Sequence, residues 1–249
     1  MADIAPAWDV SPWPPPPAAR GVFVTATDTE VGKTMIAGAI AAYLRERGRR
    51  VGAFKPAASG CRRVGGTLVS DDAEFLTACA GAGAVVPLTF AEPLAPNVAA
   101  ARAGETVGVG AILAAYRQVA AESDCVVVEG VGGLLCPIAD DFWVIHLAKL
   151  CRLPLVIVAR PGLGTINHTL LTLHAARSAG LEVAGVVVNR YPEGAADAAT
   201  ATNVEQIARR GDVDVLAVVP DDPAASVEQG RLGPAVRDAI APVAWARWA

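Results

Sequence analysis

From residue 21 onward, short continuous apolar runs alternate with longer stretches of helical periodicity. The runs Val22–Thr25, Val51–Lys55, Cys125–Glu129, Leu155–Ala159, Val183–Asn189 and Val215–Val219 are rich in valine. They are unbroken rather than alternating, which is how strands buried on both faces read. Between them the periodicity predicts helices over 32–48, 71–80, 109–122, 142–151, 165–179, 197–210 and 230–240. Strands alternating with helices imply βαβ units and a mainly parallel sheet covered on both faces, an α/β three-layer sandwich. No internal repeat or linker interrupts this pattern, so 21–249 reads as a single α/β domain, with 56–108 a loop-rich rim. Residues 1–20 differ. They hold Trp8, Trp13 and the run Pro14–Pro17, which favours polyproline II over packing and reads as a flexible tail. They lack a positive start and an apolar stretch, so they do not read as a secretory signal.

Composition narrows the function classes. The formal net charge is −4, and no basic run exceeds a pair such as Arg49-Arg50, which argues against a nucleic-acid partner. The chain is 53% hydrophobic, yet no apolar run approaches the ~18 residues of a membrane span, so no membrane partner is expected. Cys61, Cys79, Cys125, Cys136 and Cys151 are scattered without a C-x-x-C pair, which fits reduced thiols and a cytoplasmic setting. His146, His168 and His174 show no zinc-ligand spacing with them. Lysine and arginine together number 21, and only Lys33, Lys55 and Lys149 are lysine. Arginine cannot replace lysine where a compact point charge must sit beside a reacting group, so these three positions merit attention.

In parallel sheets, ligands bind at the carboxyl ends of the strands. The first strand runs into Thr27-Asp28-Thr29-Glu30-Val31-Gly32-Lys33-Thr34. Gly32, Lys33 and Thr34 match the end of the G-x-x-x-x-G-K-[ST] phosphate loop, with Thr27 in place of its first glycine. Loop N–H groups and the helix N-terminus hold phosphate oxygens, Lys33 reaches the terminal phosphates, and Thr34 can ligate Mg²⁺. Lys55 ends the second strand before a proline, where it reads either as a solvated strand-end lysine or as pointing at the same rim. Lys149 lies late in a helix, where a cation complements the dipole. The third strand ends in Glu129, four apolar residues followed by an acid, as in a Walker-B strand. The glycines after it allow backbone to approach a ligand. Ser70-Asp71-Asp72 reads equally well as a helix N-cap or as a second acidic ligand. Gly164-Thr165 opens an anion-capable helix start, and Asn189 can pair with a base edge by analogy with adenine recognition.

Together these segments resemble the dethiobiotin synthetase family of P-loop enzymes. The resemblance rests on Thr25–Thr34 (TATDTEVGKT), Phe54–Gly60 (FKPAASG), Thr89–Pro93 (TFAEP), Val128–Gly133 (VEGVGG), Gly164–Thr169 (GTINHT) and Val188-Asn189, in the family's order. Ala26 departs from the family's usual glycine, the first 20 residues are extra, and Asp221–Ala249 matches weakly. The resemblance implies a homodimer with the substrate site at its interface. It implies closure of 7,8-diaminopelargonate with CO₂ into the ureido ring of dethiobiotin, using ATP and Mg²⁺. It places nucleotide contacts at Glu30, Val31, Gly32, Lys33, Thr34, Asn189 and Pro220. It places Mg²⁺ on Thr34, Asp72 and Glu129, and substrate contacts at Thr29, Lys55, Ser59, Gly132 and Asn167. Lys33, Lys55 and Thr29 carry the chemistry in this reading. The rival is a partitioning-type P-loop switch ATPase, whose second signature lysine is absent here because Asp28, Thr29 and Glu30 occupy that stretch.

Overall fold

Every one of the six valine-rich runs becomes a strand of one parallel sheet in the computed structural model, which describes residues 8–192 and 198–249. In chain order the elements are β1 (Gly21–Ala26), α1 (Lys33–Glu46), β2 (Val51–Phe54), β3 (Arg62–Val64), β4 (Thr67–Val69), α2 (Asp71–Ala80), α3 (Pro96–Ala103), α4 (Val109–Glu122) and β5 (Cys125–Glu129). They continue with α5 (Val144–Cys151), β6 (Leu155–Ala159), α6 (Thr165–Ser178), β7 (Val183–Tyr191), α7 (Ala198–Gly211), β8 (Val215–Pro220), α8 (Pro234–Ile240) and a 3₁₀ turn at Trp245–Arg247. The sheet order is β2-β5-β1-β6-β7-β8.

Side chains alternate across β1. Val22, Val24 and Ala26 enter one core with α1, α2, α8 and Trp245, whereas Phe23 enters the other with α4 to α7. Both faces are therefore apolar, and the strand reads as continuous rather than alternating. The three layers match the α/β sandwich expected from the sequence. β1 sits between β5 and β6, so the loop after β1 leaves the middle of the sheet with Glu129 at the end of the adjacent strand.

The rim at 56–108 holds more regular structure than the sequence reading gave it. β3 and β4 form an antiparallel hairpin, turned by Gly65-Gly66 with φ of 56° and 88°. Two successive positive φ values are the geometry of a tight primed turn, which glycine adopts without steric cost. Pro96 starts α3 where its missing N–H costs nothing, and Gly104 ends it in the left-handed conformation. Helix 142–151 begins two residues late, at Val144. The last helix begins at Pro234, because Ser226 and Arg231 bridge each other just before it.

Residues 8–20 lie along α4 and α5, while residues 1–7 of the expected flexible tail fall outside the described residues. The Trp13 ring meets Phe142 edge-on at 4.8 Å, and Trp8 meets Trp143 at 5.9 Å. Arg117 donates to the Pro14 carbonyl at 2.7 Å and Arg152 to Pro16 at 3.2 Å. Lys149 donates to the Trp8 carbonyl at 2.8 Å. A proline segment offers carbonyls but no N–H, so cationic donors suit it. Lys149 thus does more than complement a helix dipole.

Candidate nucleotide and metal site

β1 ends at Ala26, whose φ is not positive. Alanine is therefore tolerated where the resembling family has glycine. The chain then loops over Thr27–Val31 and enters α1 through Gly32, at φ 93°. A Cβ on Gly32 would lie 2.1 Å from Asn189 Nδ2, so both conformation and space demand glycine there. Lys33, the first residue of α1, is buried, and its Nζ donates back to the Asp28 carbonyl at 3.3 Å. Burial pulls its pKa below the ordinary lysine value, partly offset by Glu129.

Beneath the loop, α1, α2, β5 and the end of β2 deliver a compact polar cluster. Thr34 Oγ1 lies 2.8 Å from Glu129 Oε1 and 3.1 Å from Asp72 Oδ1. Lys55 Nζ donates to Glu129 Oε1 at 2.7 Å and also to Asp72 Oδ2. The two readings of Ser70–Asp72 separate by residue. The Ser70 side chain accepts from the Ala73 N–H and caps α2, while Asp71 pairs with Arg62. Asp72 is thereby left to the cluster.

Burial alone would lower the Lys55 pKa, but Glu129 and Asp72 together outweigh it and hold the ammonium firmly protonated. Burial would also raise Asp72, yet Lys55 brings its carboxyl below the ordinary range. Glu129 is deeper, and burial wins there, pushing its carboxyl up against the pull of Lys55. Its second oxygen, Oε2, is buried without a hydrogen-bond partner. A hydroxyl, two carboxylates and an orphaned carboxylate oxygen form an all-oxygen donor set. That set fits a hard divalent cation held by one or two carboxylates plus substrate phosphates.

The other sequence-predicted residues surround this cluster at varying distance. Asn189 is buried at the end of β7, with Nδ2 donating to the Val31 carbonyl at 2.9 Å, which leaves Oδ1 as an acceptor for a base edge. Pro220 ends β8 beside Tyr191. Thr29 and Glu30 are exposed on the loop, and Ser59 is half-buried beyond Lys55. Gly132 has φ 58°, and a Cβ there would lie 3.0 Å from Cys136 Sγ and 3.9 Å from the Thr29 methyl. Thr29 and Gly132 therefore face each other. Asn167 is exposed on the first turn of α6, with no hydrogen bond joining it to the cluster among the described residues.

A groove of about 400 Å³ opens beside the loop, lined by Thr27, Asp28, Gly133, Cys136 and His168 with Leu135 and Leu171 at its edge. Leu135 is 45%, Leu171 59% and nearby Leu163 83% exposed. Sequence reading passed over these leucines. The available signal was Asn167 and Leu171, four apart on α6 and so on one face.

This sheet, loop and carboxylate cluster define a P-loop nucleotide-using protein. The chain matches the family model described as an AAA domain over residues 20–229. It is 41% identical over 205 residues to an ATP-dependent dethiobiotin synthetase of Bacillus subtilis subsp. natto, covering 81% of this chain and 87% of that protein. It is 43% identical over 209 residues to the Anaeromyxobacter dehalogenans counterpart, covering 82% and 91%. The chain belongs to the ATP-dependent dethiobiotin synthetases. Among solved structures, a ParA family ATPase from Chlorobium tepidum TLS superposes with TM-score 0.57 at 15% identity, covering 90% of this chain and 98% of that one. The MinD cell division protein of Aquifex aeolicus gives 0.56 at 15%, covering 92% and 96%. This chain shares its fold with these proteins, and at such identity the likeness extends no further.

Proposed function

We propose that the protein is an ATP-dependent ligase that closes 7,8-diaminopelargonate with CO₂ into dethiobiotin, releasing ADP and phosphate, in the cytoplasm. The observation that carries this reading is the pair Lys33 and Lys55 flanking Thr34, Asp72 and Glu129 at the phosphate loop.

One amine of the substrate captures CO₂ as a carbamate. The carbamate oxygen attacks the γ-phosphorus, and the bond to the ADP oxygen breaks. The second amine then attacks the carbonyl carbon of the resulting carbamic–phosphoric anhydride, and phosphate leaves. Phosphoryl transfer through a loose transition state needs positioning and charge neutralisation more than covalent help from the protein. Lys33 and Lys55 supply compact charges for the γ-phosphate oxygens and the carbamate. Burial in a low-dielectric pocket strengthens both. Thr34, Asp72 and Glu129 would hold Mg²⁺, which when bound would offset phosphate charge. Thr29, Ser59 and Gly132 would line the diamine end, and Glu30 to Thr34 the phosphates. Asn189 and Pro220 would meet adenine.

The groove gives the aliphatic chain of the substrate a place. We place a second copy of this chain over the exposed Leu135, Leu163 and Leu171, with Asn167 reaching the substrate carboxylate across the homodimer interface. Leu171→Asp should weaken self-association by about 30-fold or more, the loss of one hot spot of about 2 kcal/mol. Sedimentation of the variant as a dimer at wild-type concentrations counts against this interface.

The deciding assay combines purified protein, diaminopelargonate, bicarbonate, Mg²⁺ and ATP, and follows phosphate and dethiobiotin together. Equal release of both, dependent on the diamine, is expected. Phosphate release indifferent to the diamine supports the switch ATPase instead.

A further inference from the structure

Two consecutive side chains at the end of β7 grip two consecutive carbonyls of the phosphate loop. Asn189 Nδ2 donates to the Val31 carbonyl at 2.9 Å, and Arg190 Nη1 donates to the Glu30 carbonyl at 3.2 Å. In a trans peptide the C=O of one residue and the N–H of the next point in opposite directions. Holding the Glu30 and Val31 carbonyls outward, against β7, therefore turns the N–H groups of Val31 and Gly32 the other way. Those are the loop N–H groups that face a phosphate in such a cradle. Among the described residues, neither has a hydrogen-bond partner within the chain.

The backbone at both ends of the Arg190 contact is unusual. Glu30 has φ 59° and Arg190 has φ 56°, and neither is glycine. Left-handed conformations cost free energy in non-glycine residues and persist where surrounding contacts over-determine them. Here each strained residue supplies one partner of the same bond. Arg190 also brings a permanent positive charge to the outer side of a loop that holds anions.

From this geometry we infer that Arg190 is a positioning residue for phosphate binding, orienting the loop N–H groups through the Glu30 carbonyl. It touches neither phosphate nor base in this role. The inference rests on the nucleotide reading of the loop. It separates Arg190 from Asn189, whose free Oδ1 leaves it a second role at the base.

The test uses the full-length protein and compares ligands with and without phosphate. MgADP, tripolyphosphate and adenosine are titrated by calorimetry into wild type, Arg190→Ala, Arg190→Gly and Arg190→Lys, and KM for ATP and kcat are measured for each. Loss of one charge-assisted hydrogen bond at an exposed site should weaken MgADP and tripolyphosphate by about fivefold in Arg190→Ala and Arg190→Gly. KM for ATP should rise in proportion while kcat and adenosine binding stay put. Arg190→Lys keeps a donor and should recover part of the loss. Glycine relieves the left-handed strain, so Arg190→Gly should melt no lower than wild type, and its weaker MgADP binding cannot then be ascribed to poor folding. Unchanged MgADP affinity in both variants overturns the inference, and so does a parallel loss of adenosine affinity. A wild type that binds no MgADP removes the nucleotide reading itself.

Discussion

Lys33→Arg is expected to cut turnover by more than ~10²-fold, the size of effect seen when one preorganised stabilising donor is lost at a developing oxyanion. The variant keeps its charge, so the loss is one of shape. Lys33 begins α1 in a buried position and bends back to within 3.3 Å of the Asp28 carbonyl, so its ammonium sits inside the loop. An ammonium is compact and can approach two anions from different directions. A guanidinium is planar and broad, with its donors fixed in a fork. In the space between the loop and Glu129 it must either push the loop outward or swing away from the γ-phosphate. Burial also holds the Lys33 pKa below its ordinary value. Arginine remains charged at any working pH. Single-turnover phosphate release at saturating ATP, with MgADP affinity measured alongside, reads the effect. Near-normal turnover removes Lys33 from the role assigned to it. MgADP affinity falling as far as turnover makes the defect one of nucleotide binding rather than of the transition state.

How much of this was legible beforehand varies from residue to residue, for physical reasons. The six strands were readable because both faces of the sheet are covered, so nearly every position is apolar. Gly32, Lys33 and Thr34 were readable because loop conformation and phosphate chemistry constrain the residue types so tightly. Asp72 was ambiguous, since serine and aspartate both suit a helix start. Only the observed Ser70 to Ala73 bond shows which residue caps and which is free. The Gly65-Gly66 hairpin and the Pro96 to Gly104 helix carried local signals, but apolar periodicity is faint in such short exposed elements. Other features depend on contacts far apart in sequence. Lys149 meets Trp8, and Arg190 meets Glu30 across the sheet. No spacing rule encodes those pairs. Leu135 and Leu163 escaped notice for a similar reason, because they lie in loops whose exposure is set by the tertiary packing.

Lys55→Met should destabilise the metal-free protein by about 3 kcal/mol, the lower end of the cost of removing one partner from a buried ion pair. The lower end applies because Asp72 is a third exposed, whereas Glu129 is fully enclosed. Methionine keeps the unbranched stem and its packing, so the change isolates the charge. Without the Lys55 ammonium, Asp72 and Glu129 share one hydroxyl, Thr34, and only the weaker pull of the Lys33 charge. Two carboxylates that share a site cannot both stay ionised cheaply, so one takes up a proton. Glu129 is the candidate, since burial already pushes its carboxyl up. A folded-state pKa above the unfolded value favours folding at low pH, and that advantage is lost as pH rises through the folded value. The deficit of Lys55→Met relative to wild type should therefore shrink in mild acid and widen in mild alkali. Wild type itself runs the other way at Asp72, whose lowered pKa gives stability that is lost as pH falls. Mg²⁺ should restore the variant more than it stabilises wild type, because the cation meets two carboxylates that the Lys55 ammonium no longer neutralises. Binding to the folded state alone raises stability by mass action. Urea unfolding midpoints with and without Mg²⁺, on both sides of neutrality, measure all three effects. Equal stabilisation of variant and wild type by Mg²⁺ rules out Asp72 and Glu129 as the shared seat of lysine and metal. Preferential rescue of the variant means that in wild type the metal arrives best together with the nucleotide phosphates, whose negative charge offsets the ammonium of Lys55.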